Sequence, residues 1–334
     1  MVRSDAGERM SRKAFVVGVV VAIAAAGVWL NNSSVLHGPP PNAKPRVLAH
    51  RGVHQTFPTQ NLDNDTCTAT LIAPPIHPFL ENTIASMRAA FEGGADIVEL
   101  DVHLTPDGKF AVLHDWTLEC RTDGKGVTEQ TPFSTLKTLD IGYGYTADGG
   151  KTFPFRGRGK GQMPELTEVF EAFPGRKFLI NYKSRRAEEG TALAALVATH
   201  GEFRASIYGV YGGSEPTRAA IAAIAGVRGY DKQSLQACIL RYAALGWSGY
   251  VPDACRHTII ALPSNIARWM WGWPHRFMSR MQAAGTDVIL LGPWSGGASA
   301  GIDAVEQLPL VPAGFGGVVW TNHTERMARS ITAR

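Results

Sequence analysis

The chain has 334 residues, of which 45% are hydrophobic and 19% are charged, and its formal net charge at pH 7 is +4. The hydrophobic fraction is too high for a disordered chain, and the scattered glycines and prolines exclude a collagen-like or low-complexity one. Half of the net charge lies in the first thirteen residues, and the remaining basic and acidic residues are nearly balanced. The composition therefore requires no nucleic-acid-binding surface, and we expect no nucleic-acid partner.

An apolar run from Ala14 to Leu30 follows this basic N-terminal flank. The pattern is typical of a secretory signal peptide or a signal anchor, so residues 1–30 are assigned to that role. The run is just long enough to cross a hydrocarbon core of roughly 30 Å, and small residues at Ala24–Gly27 offer a cleavage site. Cleavage and anchoring both remain open, with anchoring favoured. Residues 31–45 are polar and Pro-rich, which indicates a linker.

The four cysteines agree with export to the periplasm or the extracellular space, where residues 14–30 would anchor the chain in the membrane if they are not cleaved. Cys67, Cys120, Cys238 and Cys255 show no zinc-type spacing, so in an exported chain they predict two disulfides. Three pairings are possible. We prefer Cys67–Cys120 with Cys238–Cys255 because each pair closes the shorter loop, and buried free thiols are the alternative.

Strand-like and helix-like segments alternate about eight times from Arg46 onward without a break in composition. This rhythm predicts an α/β fold, a (β/α)8 TIM barrel formed by residues 46–334 and preceded by the N-terminal apolar helix. Strands are predicted at 46–50, 95–105, 109–115, 177–184, 205–212, 226–231, 249–253, 287–292 and 317–322. Helices are predicted at 81–94, 191–200, 216–226, 234–246 and around 265–284. Segments 53–80 and 140–163 exceed ordinary βα-loop lengths and are expected to be functional loops or covers.

Two carboxylates and a histidine alternate along one predicted strand, ADIVELDVHLT. Residues two apart share a face of a strand, so Glu99, Asp101 and His103 are expected to point the same way. Neighbouring carboxylates repel each other unless a cation or a proton lies between them, and Mg²⁺ and Ca²⁺ prefer oxygen ligands. An ordinary solvent-facing edge is the alternative, which fits poorly with the apolar residues of the same strand.

Two further histidines lie at predicted strand ends, His50 in LAHRG and His114 in KFAVLHD. The carboxyl ends of barrel strands carry the chemistry of barrel enzymes, and a pair of histidines can serve as general acid and general base near neutral pH. Arg51 and Lys183 would add fixed positive charge for a phosphate.

Three motifs together resemble the glycerophosphodiester phosphodiesterase family: AHRG at 49–52, ENTIASMRAAFEGGADIVELDVHLTPDGKFAVLHD at 81–115 and MPELTEVF at 163–170. The resemblance is dense over residues 46–184 and weaker afterwards, although VVWTN at 318–322 is similar to the closing strand of the family.

The resemblance implies a barrel enzyme that hydrolyses small-molecule phosphodiesters, some of them lipid-derived, to glycerol 3-phosphate and an alcohol with a divalent cation, Mg²⁺ or Ca²⁺. The resemblance implies that His50 and His114 are the acid/base pair, and it does not assign the acid or the base to either one. Glu99 and Asp101 become metal ligands, while Arg51 and Lys183 bind the substrate.

The chain departs from the family at Asn181, which stands where the family usually has a third acidic metal ligand. An amide oxygen can still coordinate Mg²⁺ or Ca²⁺, so Asn181 is a candidate ligand, or else it binds substrate. Two other functions stay open at this point. One is a phospholipase D-like or sphingomyelinase D-like lipid hydrolase, and the other is a non-catalytic barrel that binds a ligand or a partner.

Overall fold

The structure is a computed structural model that describes residues 5–40, 43–58, 62, 65–296 and 300–334, with side chains from residue 12 onward. Arg3 of the basic flank, positions 41 and 42 of the predicted linker, and positions 59–61, 63 and 64 of the first long insertion lie outside the described residues.

The first helix, α1 (Asp5–Asn32), contains the whole predicted apolar run. The segment Arg12–Asn32 is long and apolar enough to cross a membrane, and none of it is buried against the protein. Its length and composition alone are equally compatible with a signal sequence.

Nine strands follow, and eight of them build a nearly closed parallel barrel. In chain order they are β1 (Arg46–His50), β2 (Ile97–Leu104), β3 (Phe110–Val112), β4 (Lys177–Tyr182), β5 (Ile207–Gly212), β6 (Gly229–Asp231), β7 (Ile259–Pro263), β8 (Asp287–Leu291) and β9 (Val318–Thr321). Neighbouring strands follow the order β6-β5-β4-β2-β1-β9-β8-β7. At the seam between β6 and β7, the Thr258 hydroxyl donates to the Gly229 carbonyl at 2.7 Å. The fold is the predicted TIM barrel.

The helices pack outside the strands. They are α2 (Ile84–Glu92), α3 (Phe133–Leu136), α4 (Leu166–Ala172), α5 (Ala187–Thr199), α6 (Ser214–Ala223), α7 (Lys232–Leu245), α8 (Ser264–Ala267), α9 (His275–Ala283) and α10 (Thr324–Thr332). Helix α2 begins with a reciprocal cap in which Thr83 and Ser86 bond each other's backbone amides, so its first turn is fixed close to the end of β1.

Two strand predictions need correction. The predicted strand at 249–253 is wrong, because this stretch leads into a short 3-10 helix, Asp253–Cys255, and the seventh barrel strand is the apolar run Ile259–Pro263. The segment predicted at 109–115 forms only the short strand β3, which pairs antiparallel with β2 and lies outside the barrel order. The helical region predicted around 265–284 divides into α8 and α9.

The two long insertions form a small core of their own beside the carboxyl end of the barrel. Ala69, Leu80, Tyr145 and Phe155 are buried in it together with Leu113, which follows β3. Both preferred disulfides, Cys67–Cys120 and Cys238–Cys255, are present in the structure. The first of them fastens one insertion to the segment that follows His114.

Candidate active site

The carboxyl ends of β1, β2 and β4 bring the predicted site residues together. In the register of the barrel, His50 lies opposite Glu99, and Asp101 lies opposite Asn181. His114 joins them from the segment after β3. Five of the seven predicted catalytic, binding and metal residues line one cleft of about 950 Å³, namely His50, Arg51, His114, Asn181 and Lys183.

The turn after β1 aims Arg51 inward. Arg51 and Gly52 both have positive φ, 56° and 76°. A side chain at Gly52 would meet the backbone of Ser86 and Met87 at 2.8 and 2.9 Å, so helix α2 can lie against this turn only because the residue is glycine. The close packing explains physically why glycine follows the histidine and arginine in this motif.

Glu99 and Asp101 are completely buried in the barrel interior. Glu99 accepts hydrogen bonds from the Tyr211 hydroxyl at 2.7 Å and from the Arg51 amide at 3.2 Å. Burial and the neighbouring charge of Asp101 raise the pKa of Glu99 to about 8.

Asp101 keeps its negative charge although burial opposes ionisation. Arg51 Nε lies 3.1 Å from its carboxylate and Lys183 Nζ lies 3.7 Å from it, and these two cations lower the pKa of Asp101 well below its usual value. The side-chain amides of Asn82 and Asn181 also donate to Asp101, at 3.0 and 2.8 Å. Asp101 is thus the common partner of these two cations and these two amides.

His50 is held by Asn322, a residue at the end of the last barrel strand. The Asn322 side-chain oxygen lies 2.6 Å from His50 Nδ1, and Asn322 is itself fixed by its amide groups on Asp303. An acceptor at Nδ1 places the ring proton there, which leaves Nε2 as the free nitrogen, 3.8 Å from Glu99. Burial, together with the charge of Arg51, lowers the pKa of His50 well below its ordinary value.

His114 stands at the end of a continuous chain of buried ion pairs. Its Nδ1 lies 3.0 Å from Asp115, and the other Asp115 oxygen lies 2.9 Å from Arg121. Arg121 continues at 2.9 Å to Glu81, and Glu81 continues at 2.9 Å to Arg51. Burial first, and then the charge of Arg51, lower the pKa of His114, so this imidazole is neutral near pH 7.

Glu99 and Asp101 suit a hard divalent cation because both side chains supply carboxylate oxygens. Burial and then the charge of Asp101 raise the pKa of Glu99, and a bound cation would offset both effects. Asn181 directs its amide nitrogen at Asp101, so its oxygen could join this set only after the amide turned over. Within the described ranges, three or more His, Cys, Asp or Glu side chains are nowhere grouped as a metal-binding cluster.

Several residues of the site escaped the sequence-based assignment. Glu81 and Asn82 lie in the quoted ENT motif and Asp115 follows His114, so their positions were available although no role was given to them. Arg121, Tyr211 and Asn322 lie outside the motifs that were recognised, and each has a site partner 40 or more positions away, although Arg121 also contacts the nearby Asp115.

His103, which shares the strand face of Glu99 and Asp101, is completely buried, and neither ring nitrogen has a hydrogen-bond partner among the described residues. Its ring centroid lies 5.9 Å from that of Trp116. Burial, with the charge of Lys183, lowers its pKa to about 4, so it carries no charge near neutral pH.

The fold and the site define a TIM barrel with a histidine pair over buried carboxylates. Residues 50–208 match the sequence model of the glycerophosphoryl diester phosphodiesterase family. A glycerophosphodiester phosphodiesterase from Caldanaerobacter subterraneus is 36% identical over 138 residues, and one from Bacillus altitudinis is 29% identical over 143 residues. These matches cover 41% and 42% of this chain, and the chain spans 44% and 46% of the two relatives.

Solved structures extend the likeness to the whole barrel. The glycerophosphodiester phosphodiesterase from Agrobacterium tumefaciens superimposes with a TM-score of 0.57 at 22% identity, over 85% of this chain and 99% of that one. A phosphodiesterase from Oleispira antarctica, solved with the product sn-glycerol-3-phosphate, gives 0.52 at 20% identity over 87% and 98%. The sequence match over residues 50–208 and the curated relatives indicate the glycerophosphodiester phosphodiesterase family, and the solved structures show the same barrel fold.

Proposed function

We propose that the protein hydrolyses glycerophosphodiesters to sn-glycerol 3-phosphate and an alcohol, with His50 and His114 as the acid/base pair. The observation that carries this proposal is that both histidines line one cleft together with Arg51 and Lys183, directly above the buried carboxylates. Support also comes from the curated relatives, which are named for this activity, and from the product bound to the Oleispira structure.

Arg51 and Lys183 provide the positive charge for the substrate phosphate. Arg51 reaches into the cleft from a strained turn while its guanidinium is held by Glu81 and Asp101, so its orientation is set before substrate arrives. Preorganised cations stabilise the negative charge that develops on the phosphate oxygens as the ester bond breaks, because they need no rearrangement at that moment. Lys183, which Asp101 holds less closely, would supply a second contact.

The two histidines would move the protons. A neutral imidazole whose Nδ1 is engaged offers Nε2 as a base, and both His50 and His114 have this arrangement. The partner that acts as acid needs a proton, and the negative phosphate bound between the cations would favour that protonated form.

Glu99 and Asp101 would hold the divalent cation, with Asn181 as the third oxygen donor if its amide turns over. Such an ion supplies Lewis-acid stabilisation of the phosphate oxygens. Of the chain's own groups, Tyr211 fixes one oxygen of Glu99 and Asn82 fixes one oxygen of Asp101, so the two carboxylates stay in place on the barrel wall.

The test is enzymatic release of sn-glycerol 3-phosphate from glycerophosphoethanolamine, in buffer with Mg²⁺ or Ca²⁺ and again with EDTA. His50→Ala and His114→Ala should each lower kcat by about 10²–10⁴-fold, the usual contribution of a positioned acid or base. His200→Ala is the matched control, because His200 is only partly buried at the end of α5 and does not line the cleft. Unchanged turnover in either histidine variant removes that residue from the proposal, and turnover insensitive to EDTA removes the metal.

A further inference from the structure

The end of α1 is fixed to the barrel and does not leave it as a free tether. The side-chain amides of Asn31 and Asn32 donate to the carbonyl of Trp247, at 3.2 and 2.8 Å. Arg280 donates from one guanidinium nitrogen to the Asn31 carbonyl at 2.8 Å and from another to the Asn32 side chain at 2.9 Å. A helix held at its end by four such bonds sets the orientation of the barrel relative to whatever surrounds the helix.

Large exposed apolar side chains surround this attachment. Trp247 is 47% exposed and Trp271 is 37% exposed, and the indole of Trp271 donates to the Ala243 carbonyl in the last turn of α7, just before Trp247. Trp269, two residues from Trp271, is 71% exposed. The Ser34 hydroxyl, two residues beyond α1, donates to the Gly272 carbonyl at 2.6 Å, which brings the end of α1 against the tryptophan loop.

The two chain segments that carry these tryptophans are basic. Residues 232–252 and 264–286, which include α7, α8, α9 and the tryptophan loop, contain no Asp or Glu. Arg241, Arg268 and Arg276 lie in these segments. Tryptophan enriched at the boundary between hydrocarbon and water, next to arginine, is the composition of a membrane interface with anionic head groups.

We propose that this face, Trp247, Trp269 and Trp271 with their neighbouring arginines, lies in the head-group layer of the membrane that α1 spans. The occupant is a lipid surface, because the face is continuous with the exposed apolar helix and Trp29 near its end is itself 61% exposed. A water-soluble partner would leave unexplained why the aromatic side chains cluster where a membrane-length helix is attached.

The position of this face on the barrel affects how substrates reach the cleft. Helix α7 starts at the carboxyl end of β6 and runs back along the barrel, so Trp247 beyond its last turn lies toward the amino ends of the strands. The cleft with His50 and His114 opens at the carboxyl ends. A barrel resting on Trp247 therefore turns its cleft away from the lipid and toward water-soluble substrates.

The test is hydroxyl-radical footprinting of the full 334-residue chain in vesicles of phosphatidylcholine with phosphatidylglycerol, read residue by residue by mass spectrometry. Trp116 is the internal control, since it is 41% exposed and follows β3 near the carboxyl end of the barrel. Trp247, Trp269 and Trp271 should be oxidised at least about five-fold more slowly than Trp116.

Three results would overturn the proposal. One is equal oxidation of these four tryptophans, and another is failure of the chain to float with the vesicles. The third is protection that disappears when the protein is diluted in lipid, because that result would assign the face to a second copy of the chain. In the supporting case, Arg241→Gln with Arg268→Gln weakens the protection in anionic vesicles and leaves it unchanged in neutral ones.

Discussion

Arg121 lies 2.9 Å from Glu81 and 2.9 Å from Asp115, and it is 2% exposed. This single guanidinium connects the residue that orients Arg51 with the residue that orients His114. The proposed phosphate-binding residue Arg51 and the proposed acid/base residue His114 are therefore both positioned through the same buried cation.

Arg121→Met should remove both contacts, so that buried Glu81 keeps only Arg51 as its partner and buried Asp115 keeps only His114. Breaking a buried ion pair from one side costs about 3–5 kcal/mol, so the free energy of unfolding in urea should fall by that order and kcat should fall with it. Arg158→Met, at an exposed arginine of the second insertion, is the control. A variant as stable and as active as the parent would show that Arg121 supports neither residue.

Asn181→Asp should turn the site into a tighter cation site. The substitution keeps the shape of the side chain and adds a carboxylate beside Asp101, so the protein should be less stable than the parent in EDTA. Stability should recover in Ca²⁺ or Mg²⁺, because ligand binding stabilises the folded state by mass action.

The readout is the shift in Tm on adding the ion, and it does not depend on activity. Gln233→Glu adds the same charge at the rim of the cleft and should show no such ion-dependent gain. An equal shift in both variants would mean that Asn181 does not contact the cation.

Glu189 should make stability depend on pH. Its side chain is buried on α5 and accepts from the Leu104 amide at 3.1 Å, and burial raises its pKa to about 7. Because the folded-state pKa lies above the unfolded one, the folded protein binds the extra proton. The stabilising contribution is complete below about pH 4.5 and is lost as the pH rises to about 7, a change of up to about 3 kcal/mol.

Glu189→Gln should flatten that part of the curve of unfolding free energy against pH, measured by urea denaturation between pH 4.5 and 8. Glu188→Gln, one residue away on the exposed side of the same helix, should leave the slope as in the parent. A parent curve without this slope would contradict the raised pKa.

Arg185 and Lys232 should influence the preference among substrates that differ in their leaving alcohol. Both line the cleft, and neither forms an ion pair with any described residue, whereas Glu215 on the same rim faces Arg218 at 3.8 Å. The double variant Arg185→Gln with Lys232→Gln should lower kcat/KM for glycerophosphoserine about five-fold more than for glycerophosphoethanolamine, two substrates that differ by one carboxylate.

In the parent protein, added salt should reduce the difference in kcat/KM between glycerophosphoserine and glycerophosphoethanolamine, because exposed charges are screened over about 10 Å at 0.1 M. Arg329→Gln on α10 serves as the control at an exposed arginine away from the cleft. Equal losses for the two substrates would rule out a charge preference at this rim.

The barrel could be predicted because its strands are short apolar runs between helices, and β1 was predicted with its observed bounds. The strand β7 was missed because its run IIALP is short and has no helix-like stretch just before it, while GYVPD nearby shows similar strand-forming residues. In the site, Glu99 and Asp101 follow from the two-residue period of a strand. Arg121 and Asn322 do not, because Arg121 contacts Glu81, 40 positions away, and Asn322 contacts His50, 272 positions away, only in the folded barrel.

The Cys67–Cys120 disulfide joins the first insertion to the residue just before Arg121, and Thr68, which follows Cys67, accepts a hydrogen bond from Arg121 at 2.6 Å. One covalent bond thus joins the two segments that hold the Arg121 guanidinium. In a reducing environment this disulfide would be broken, and the alignment of His114 and Arg51 would depend on noncovalent contacts alone. Formation of this disulfide in an oxidising compartment would then complete the alignment of the cleft residues.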